Sequence, residues 1–217
     1  MPPGPGSQTA VPSGLNGFEQ QATADARFEE ITKLRKDISS GRKELSTNDT
    51  TIWSVADRYA PERSCTGNSI GVTIVLLHAT GFHKEIWETT LRYLLSMPQG
   101  QANVDKIWSL DAANHEDSAL INNKSLGETF KWSVHVPDIL KFLGNYLPDR
   151  TQNGVLQWNL ERISNENAWE RFERSFKDRK VLGIGHSFGV CAFQMSTRAA
   201  LDGFSLFLSI IFADPMM

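Results

Sequence analysis

The sequence predicts an α/β protein built on a mostly parallel, doubly wound sheet. Three observations carry that expectation. The run GVTIVLLHATG (71–81) is apolar at nearly every position, as in a strand covered on both faces. Strand-like and helix-like patterns alternate from Asn48 onward. A glycine-rich turn then joins the strand KVLGI (180–184) to another apolar helical segment.

The elements follow in order. Residues 1–17 are rich in Pro, Gly, Ser and Thr and read as a disordered segment. Phe28, Ile31, Leu34 and Ile38 recur at spacings of three and four, which predicts a peripheral helix over 18–45 with a narrow apolar face. The main domain spans 50–217. Its first strand is TTIWSVADRYA (50–60), followed by the run at 71–81. A helix is expected from Glu85 to Met97, with Ile86, Leu91, Leu94 and Leu95 on one side and Pro98 and Gly100 closing it. KIWSLDA (106–112) is a further strand. Trp132, Val136, Ile139, Leu140 and Leu143 predict a helix within 129–147, with Pro137 at its start or at a kink. Residues 150–178 are polar and read as an inserted helical segment. A helix from Val190 to about Ala200 and the strand LFLSIIFA (206–213) complete the pattern.

Composition excludes several functions. Twenty-two basic and 25 acidic side chains give a net charge of −3, and no basic block offers a footprint for nucleic acid. Two cysteines, Cys65 and Cys191, make neither a disulfide framework nor a zinc site and fit a reducing compartment. The longest apolar stretch, Phe204 to Ala213, is about half of what a membrane-spanning helix needs. The N-terminus has neither the cationic start nor the apolar run of a secretory signal. The expectation is a cytoplasmic protein without metal or cofactor; a peroxisomal address would need a longer C-terminus.

The chemistry concentrates in Gly185-His186-Ser187-Phe188-Gly189, a G-x-S-x-G between a strand and a helix. Such an elbow places a serine on a strained turn at the carboxyl edge of a sheet, beside a helix N-terminus. There the Ser187 hydroxyl can act as nucleophile and the Phe188 N–H can face a developing oxyanion. Gly185 and Gly189 keep side chains out of the crowded turn. The alternative is a glycine-rich turn that binds phosphate, or nothing.

Two further segments resemble those of α/β-hydrolases of the serine-nucleophile type. Leu76-Leu77-His78-Ala79-Thr80-Gly81-Phe82-His83-Lys84-Glu85-Ile86-Trp87 resembles their H-G-x-P…W segment, with Ala79 in place of the glycine. Asp111-Ala112-Ala113-Asn114-His115-Glu116-Asp117-Ser118 resembles their D-x-R-G-H-G-x-S turn, with the arginine and both glycines replaced. The spelling HATGFHK is similar to a fungal branch that contains a peroxisomal lipase and toxin-biosynthesis hydrolases. The resemblance implies an esterase- or lipase-like enzyme for a small-molecule ester, with Ser187 as nucleophile. It implies oxyanion donors in the N–H groups of Phe188 and Thr80. It also implies that His78 and His115 are structural. His186 points away from its neighbour Ser187, and His83 sits near the pocket or plays a structural part. His135 is read as solvated, Cys191 as a small core residue, and Glu116 and Asp117 as a solvated turn.

No histidine follows Ser187, whereas the resemblance implies a triad in the order serine, acid, histidine. Asp202 and Asp214 are the carboxylates beyond it, and Asp214, directly after the last strand, is the acid candidate. A serine without an imidazole to take its proton is nearly inert. The last strand is apolar on both faces with nothing after it to flank it, so a partner or further chain is expected to cover that edge. The expectation is therefore the N-terminal portion of a longer hydrolase, lacking the last strands and helices and inactive as it stands. The alternative is a non-catalytic binding or scaffold protein of the same fold. Ser187 speaks against epoxide opening or dehalogenation, which use an aspartate nucleophile.

Overall fold

The computed structural model describes residues 29, 33, 36, 51–61, 71–126, 134–149, 159–177, 179–199, 207 and 209–213. The chain divides into two units, Met1–Asp49 and Thr50–Met217. In the first, Glu29, Lys33 and Lys36 are helical and exposed; the segment 1–17 lies outside the described residues.

Among the described residues, the second unit holds a five-stranded sheet in the order β1-β3-β2-β4-β5. Strand β1 (Ala56–Tyr59) runs antiparallel to β3 (Val104–Leu110). Strands β2 (Val72–Leu77), β4 (Lys180–His186) and β5 (Ser209–Ala213) are parallel to their neighbours. Leu77 stands opposite both Leu110 and Gly185, so β2, β3 and β4 end level with one another. The loops after these three strands leave the same edge of the sheet.

Helices cover both faces, which is why β2 is apolar at consecutive positions. Ile74, Leu76 and Ile107 pack with Leu91 of α1 (Glu88–Ser96) on one side. Val75, Leu77 and Trp108 pack on the other. Their partners there include Ile139 of α4 (His135–Lys141) and Phe193 of α6 (Phe188–Ala199). Trp108 is almost fully buried and meets Phe142 edge-on at 5.4 Å.

Several boundaries differ from the sequence expectation. The first strand covers only Ala56–Tyr59, because Trp53 and Val55 bond side chains of α3 (Glu116–Asn122) instead of a strand. The helix expected from Glu85 opens as a 3-10 turn, Lys84–Trp87, before α1; the short helix α2 (Pro98–Asn103) leads into β3. Helix α4 runs on into one π turn, Phe142–Tyr146. Within the segment 150–178, α5 (Asn165–Glu173) is capped by Ser164, which accepts the N–H of Asn167 at 3.2 Å. Arg171 of α5 then donates to the carbonyls of Gly144 and Leu147, at 3.1 and 2.9 Å, filling acceptors that the π turn leaves open.

Two side chains fall on the opposite side from that expected. His135 is 4% exposed, not solvated, because it opens α4 on the side turned toward the sheet. Cys191 is exposed, not a core residue; Ala192 and Phe193, the next positions of α6, take the buried face.

Candidate functional site at the carboxyl edge of the sheet

Ser187 joins β4 to α6 with φ at +48°, in the left-handed region that L-residues with a side chain seldom adopt. Its neighbours explain why the chain tolerates this. A Cβ on Gly185 would lie 2.5 Å from the backbone N of Val190, and one on Gly189 would lie 2.6 Å from the carbonyl O of Leu77. Neither obstacle is a flexible side chain, so the turn closes only with glycine at both positions. Val190 N–H bonds the Ser187 carbonyl at 3.0 Å, and the Ser187 side chain is left exposed at the edge. Phe188 opens α6, so its N–H belongs to the first turn, where amides point outward along the helix axis.

The loop after β2 leaves beside this turn. Phe82 N–H closes it onto the Ala79 carbonyl at 3.1 Å, and the ring of Phe82 meets that of His186 edge-on at 5.4 Å. Thr80 is exposed, and its N–H bonds no protein group among the described residues. Ala79, where the resembling segment has glycine, is not among the residues with positive φ, so its methyl group brings no strain.

Two histidines tie this loop to the one after β3. His78 Nε2 accepts the N–H of Ala112 at 3.1 Å, so the proton sits on Nδ1, which donates to the Ala79 carbonyl at 2.8 Å. His115 Nε2 accepts the N–H of Gly81 at 3.2 Å, and its Nδ1 donates to Asn114 at 2.9 Å. Burial lowers the pKa of both rings. Asp111 lies 3.6 Å from His78 Nε2, but that nitrogen is an acceptor on a neutral ring, so the contact is not an ion pair. His83 bonds Glu85 at 2.8 Å on the exposed side of the loop.

Sequence reasoning missed Lys84. It is 1% exposed, and its Nζ lies 2.5 Å from Glu85, 2.6 Å from Asp117, 3.4 Å from Asp111 and 3.8 Å from Asp57. Burial alone would depress its pKa, but hydrogen bonds to Asp117 and Glu85 and the charges of Asp111 and Asp57 outweigh burial and raise it. Its backbone is held as well: the N–H donates to Asp111 Oδ1 at 2.8 Å, and the carbonyl accepts Ser109 Oγ–H at 2.8 Å. Asp117, expected on a solvated turn, is half exposed but serves this ammonium. A lone lysine in a polar loop looks solvated; the signal available was the four carboxylates that the fold gathers round it.

All five histidines of the chain lie among the described residues, and no hydrogen bond joins any of them to Ser187. Burial holds the pKa of His135 down at about 4, and its Nδ1 has no hydrogen-bond partner among the described residues. Asp214 lies outside the described residues. Among those described, no group of three or more His, Cys, Asp or Glu is arranged to hold a metal, and no helix is long and apolar enough to cross a membrane.

No family model matches the chain. It is 33% identical over 91 residues to a peroxisomal membrane protein, LPX1, of Saccharomyces cerevisiae, covering 42% of this chain and 22% of that one. It is 24% identical over 160 residues to a type I acyl-CoA thioesterase, mpaH′, of Penicillium brevicompactum, covering 74% of this chain and 30% of the relative. Among solved structures it aligns with the peroxisomal alpha-beta-hydrolase Lpx1 of S. cerevisiae, with a TM-score of 0.44 and 22% identity over 75% of this chain and 37% of that one. The chain thus spans less than a third of the curated relatives' length. The three segments that carry the resemblance leave adjacent parallel strands at one level, the arrangement of an α/β-hydrolase fold, and in sequence the chain is similar to these fungal proteins.

Proposed function

We propose that the chain carries the nucleophile and oxyanion half of a serine hydrolase for ester or thioester substrates, with Ser187 as the attacking group. The observation that supports this most directly is the strained turn at Ser187, between two positions where only glycine fits. A hydroxyl held there approaches an acyl carbonyl from the sheet edge. As its oxygen adds to the carbonyl carbon, negative charge grows on the carbonyl oxygen, which the N–H groups of Phe188 and Thr80 face. Collapse of the adduct expels the alcohol or thiol and leaves an acyl-serine. The thioester option comes from the relatives named as acyl-CoA thioesterases. Asp214 is the acid candidate in this scheme, and the substrate is a small acyl compound.

The step that these residues do not supply is removal of the Ser187 proton. His78 and His115 use both ring nitrogens in holding loops, and His83 faces Glu85. An oxyanion site without its base still accelerates hydrolysis over water, by about 10³-fold in a well-studied case. An external base should therefore recover part of the rate. With imidazole added, the 217-residue chain should hydrolyse nitrophenyl butyrate at least tenfold faster than its Ser187→Ala variant and should accumulate a butyryl adduct on Ser187, seen by mass spectrometry. Equal rates for the two proteins at every imidazole concentration would overturn the reading. The second reading, a non-catalytic binding protein of this fold, would then stand; it is favoured by the lack of any histidine bonded to Ser187.

A further inference from the structure

We infer that Lys84 is a positioning residue that fixes the loop carrying the Thr80 amide against the sheet edge, acting through its carboxylates and not on substrate. The inference rests on the reading of Thr80 N–H as an oxyanion donor and adds the device that holds it.

The loop 78–84 has few internal ties. Within it, Phe82 N–H bonds Ala79 O; Gly81 N–H reaches out to His115 Nε2 and His83 O accepts Ile86 N–H, while Thr80, Gly81, Phe82 and His83 are all exposed. A donor that stabilises a transition state must keep its place to within a fraction of an ångström. An exposed four-residue loop does not do so by packing. Beyond the Gly81–His115 bond its position rests on its ends, and they are fixed differently. At the front, His78 follows directly from β2 and is locked by Ala112 N–H. At the back, Lys84 is the first buried residue, and everything about it is tied.

Those ties reach four separate parts of the fold. Asp57 stands on β1, Ser109 on β3, Asp111 directly after β3, and Asp117 in the first turn of α3. Backbone and side chain of one residue thus meet Asp111 Oδ1, Ser109 Oγ, Asp117 and Asp57 together, with Glu85 as a fifth contact from its own turn. Asp111 is fully buried, and the ammonium 3.4 Å from its Oδ2 is its charge partner. Burial raises the pKa of Asp111 and Asp57, and the charge of Lys84 opposes that rise at both. The anchor is mutual: Lys84 bonds Asp111 and Asp117 and its charge lies near Asp57, so the loop's end and these carboxylates hold one another. A neutral residue at 84 would keep the backbone bonds but lose the pull of α3 and β1.

The test uses the 217-residue chain. Asp117→Ala removes a half-exposed partner and leaves the buried Lys84–Asp111 pair intact, so the fold survives. The expected result is faster hydrogen exchange at the Gly81, Phe82 and Lys84 amides, with exchange in β2 and β4 unchanged. The Ser187-dependent rate with imidazole should fall about tenfold, with half-saturation by nitrophenyl butyrate within twofold of the parent. Asp117→Glu should restore both. Lys84→Met, if folded, should lower the rate about a hundredfold. Unchanged exchange at those three amides in folded Asp117→Ala overturns the inference, as does a rate loss that Asp117→Glu fails to restore. Loss of any difference between the parent and Ser187→Ala overturns the hydrolase reading instead; the exchange measurement then still decides whether Lys84 holds the loop.

Discussion

Ser187 occupies a backbone conformation that costs an ordinary L-residue about 1–2 kcal/mol. Glycine pays no such penalty, though it loses more chain entropy on folding. Ser187→Gly should therefore raise the stability of the chain by about 1 kcal/mol, or about 2–4 °C in Tm, in thermal unfolding followed by circular dichroism. An unchanged or lower Tm would show that the serine side chain is held by compensating contacts. At the same scale, sequence patterns sorted the histidines unevenly. His78 and His115 were legible because they stand in spelled-out segments. His135 was not, because its environment is set by which side of α4 meets the sheet, and that depends on the register of a helix start two residues before Pro137.

Among the elements, α3 was not foreseen, and it has an unexpected role. Asn122 accepts the Trp53 N–H at 2.9 Å and donates to the Trp53 carbonyl at 2.6 Å and to the Ala113 carbonyl at 2.9 Å. One side-chain amide thus imitates the backbone of a neighbouring strand, while Ser118 Oγ takes the Val55 N–H at 2.8 Å. Asn122 is 1% exposed, so Asn122→Ala should leave buried polar groups without partners and cost about 2–3 kcal/mol in denaturant unfolding. The Trp53 amide should lose its exchange protection in the folded variant, while Leu110 in β3 keeps its own. A seven-residue helix with Leu120 and Ile121 exposed has no clear apolar period, which is why the sequence hid it. The long elements were legible for the converse reason: β2 and β4 are covered from two sides and leave an apolar trace, and α6 alternates buried Ala192, Phe193 and Ser196 with exposed Cys191, Gln194 and Met195 at helical spacing. Their ends were less so, since Lys84 begins a 3-10 turn for the sake of its carboxylates and not of any local preference.

For the molecule as a whole, burial of charge gives stability a pH dependence with two opposing parts. Asp138 in the first turn of α4 has its pKa raised to about 6, chiefly by burial, partly offset by Lys141. Between its ordinary value of 3.8 and that of the folded state, the folded chain binds more protons than the unfolded one, so stability falls as pH rises through this window. His135, held down at about 4 by burial, acts the other way and withdraws stability as pH falls below 6.5. Asp138→Asn separates them. It should raise the denaturant midpoint at pH 7.5 by an amount equivalent to about 2 kcal/mol and leave it nearly unchanged at pH 4. An equal shift at both values would assign the effect to packing instead. The same burial explains how far the site was readable. Its strand–turn–helix frame follows from the apolar pattern and three spelled-out segments. The Lys84 cluster follows from residues 57, 84, 85, 111 and 117 meeting in space, which no local pattern records.

The elbow also separates two kinds of selection. Glycine at 185 and 189 is demanded by backbone contacts alone, so a lineage that gave up catalysis would still have to inherit both. At 187 the fold exerts the opposite pull, because the left-handed turn is easier to form with glycine there too. A lineage drifting under folding pressure alone would move toward glycine at all three positions. A serine kept at the central one is a cost borne by every generation, and its persistence would be the mark of a hydroxyl that is used.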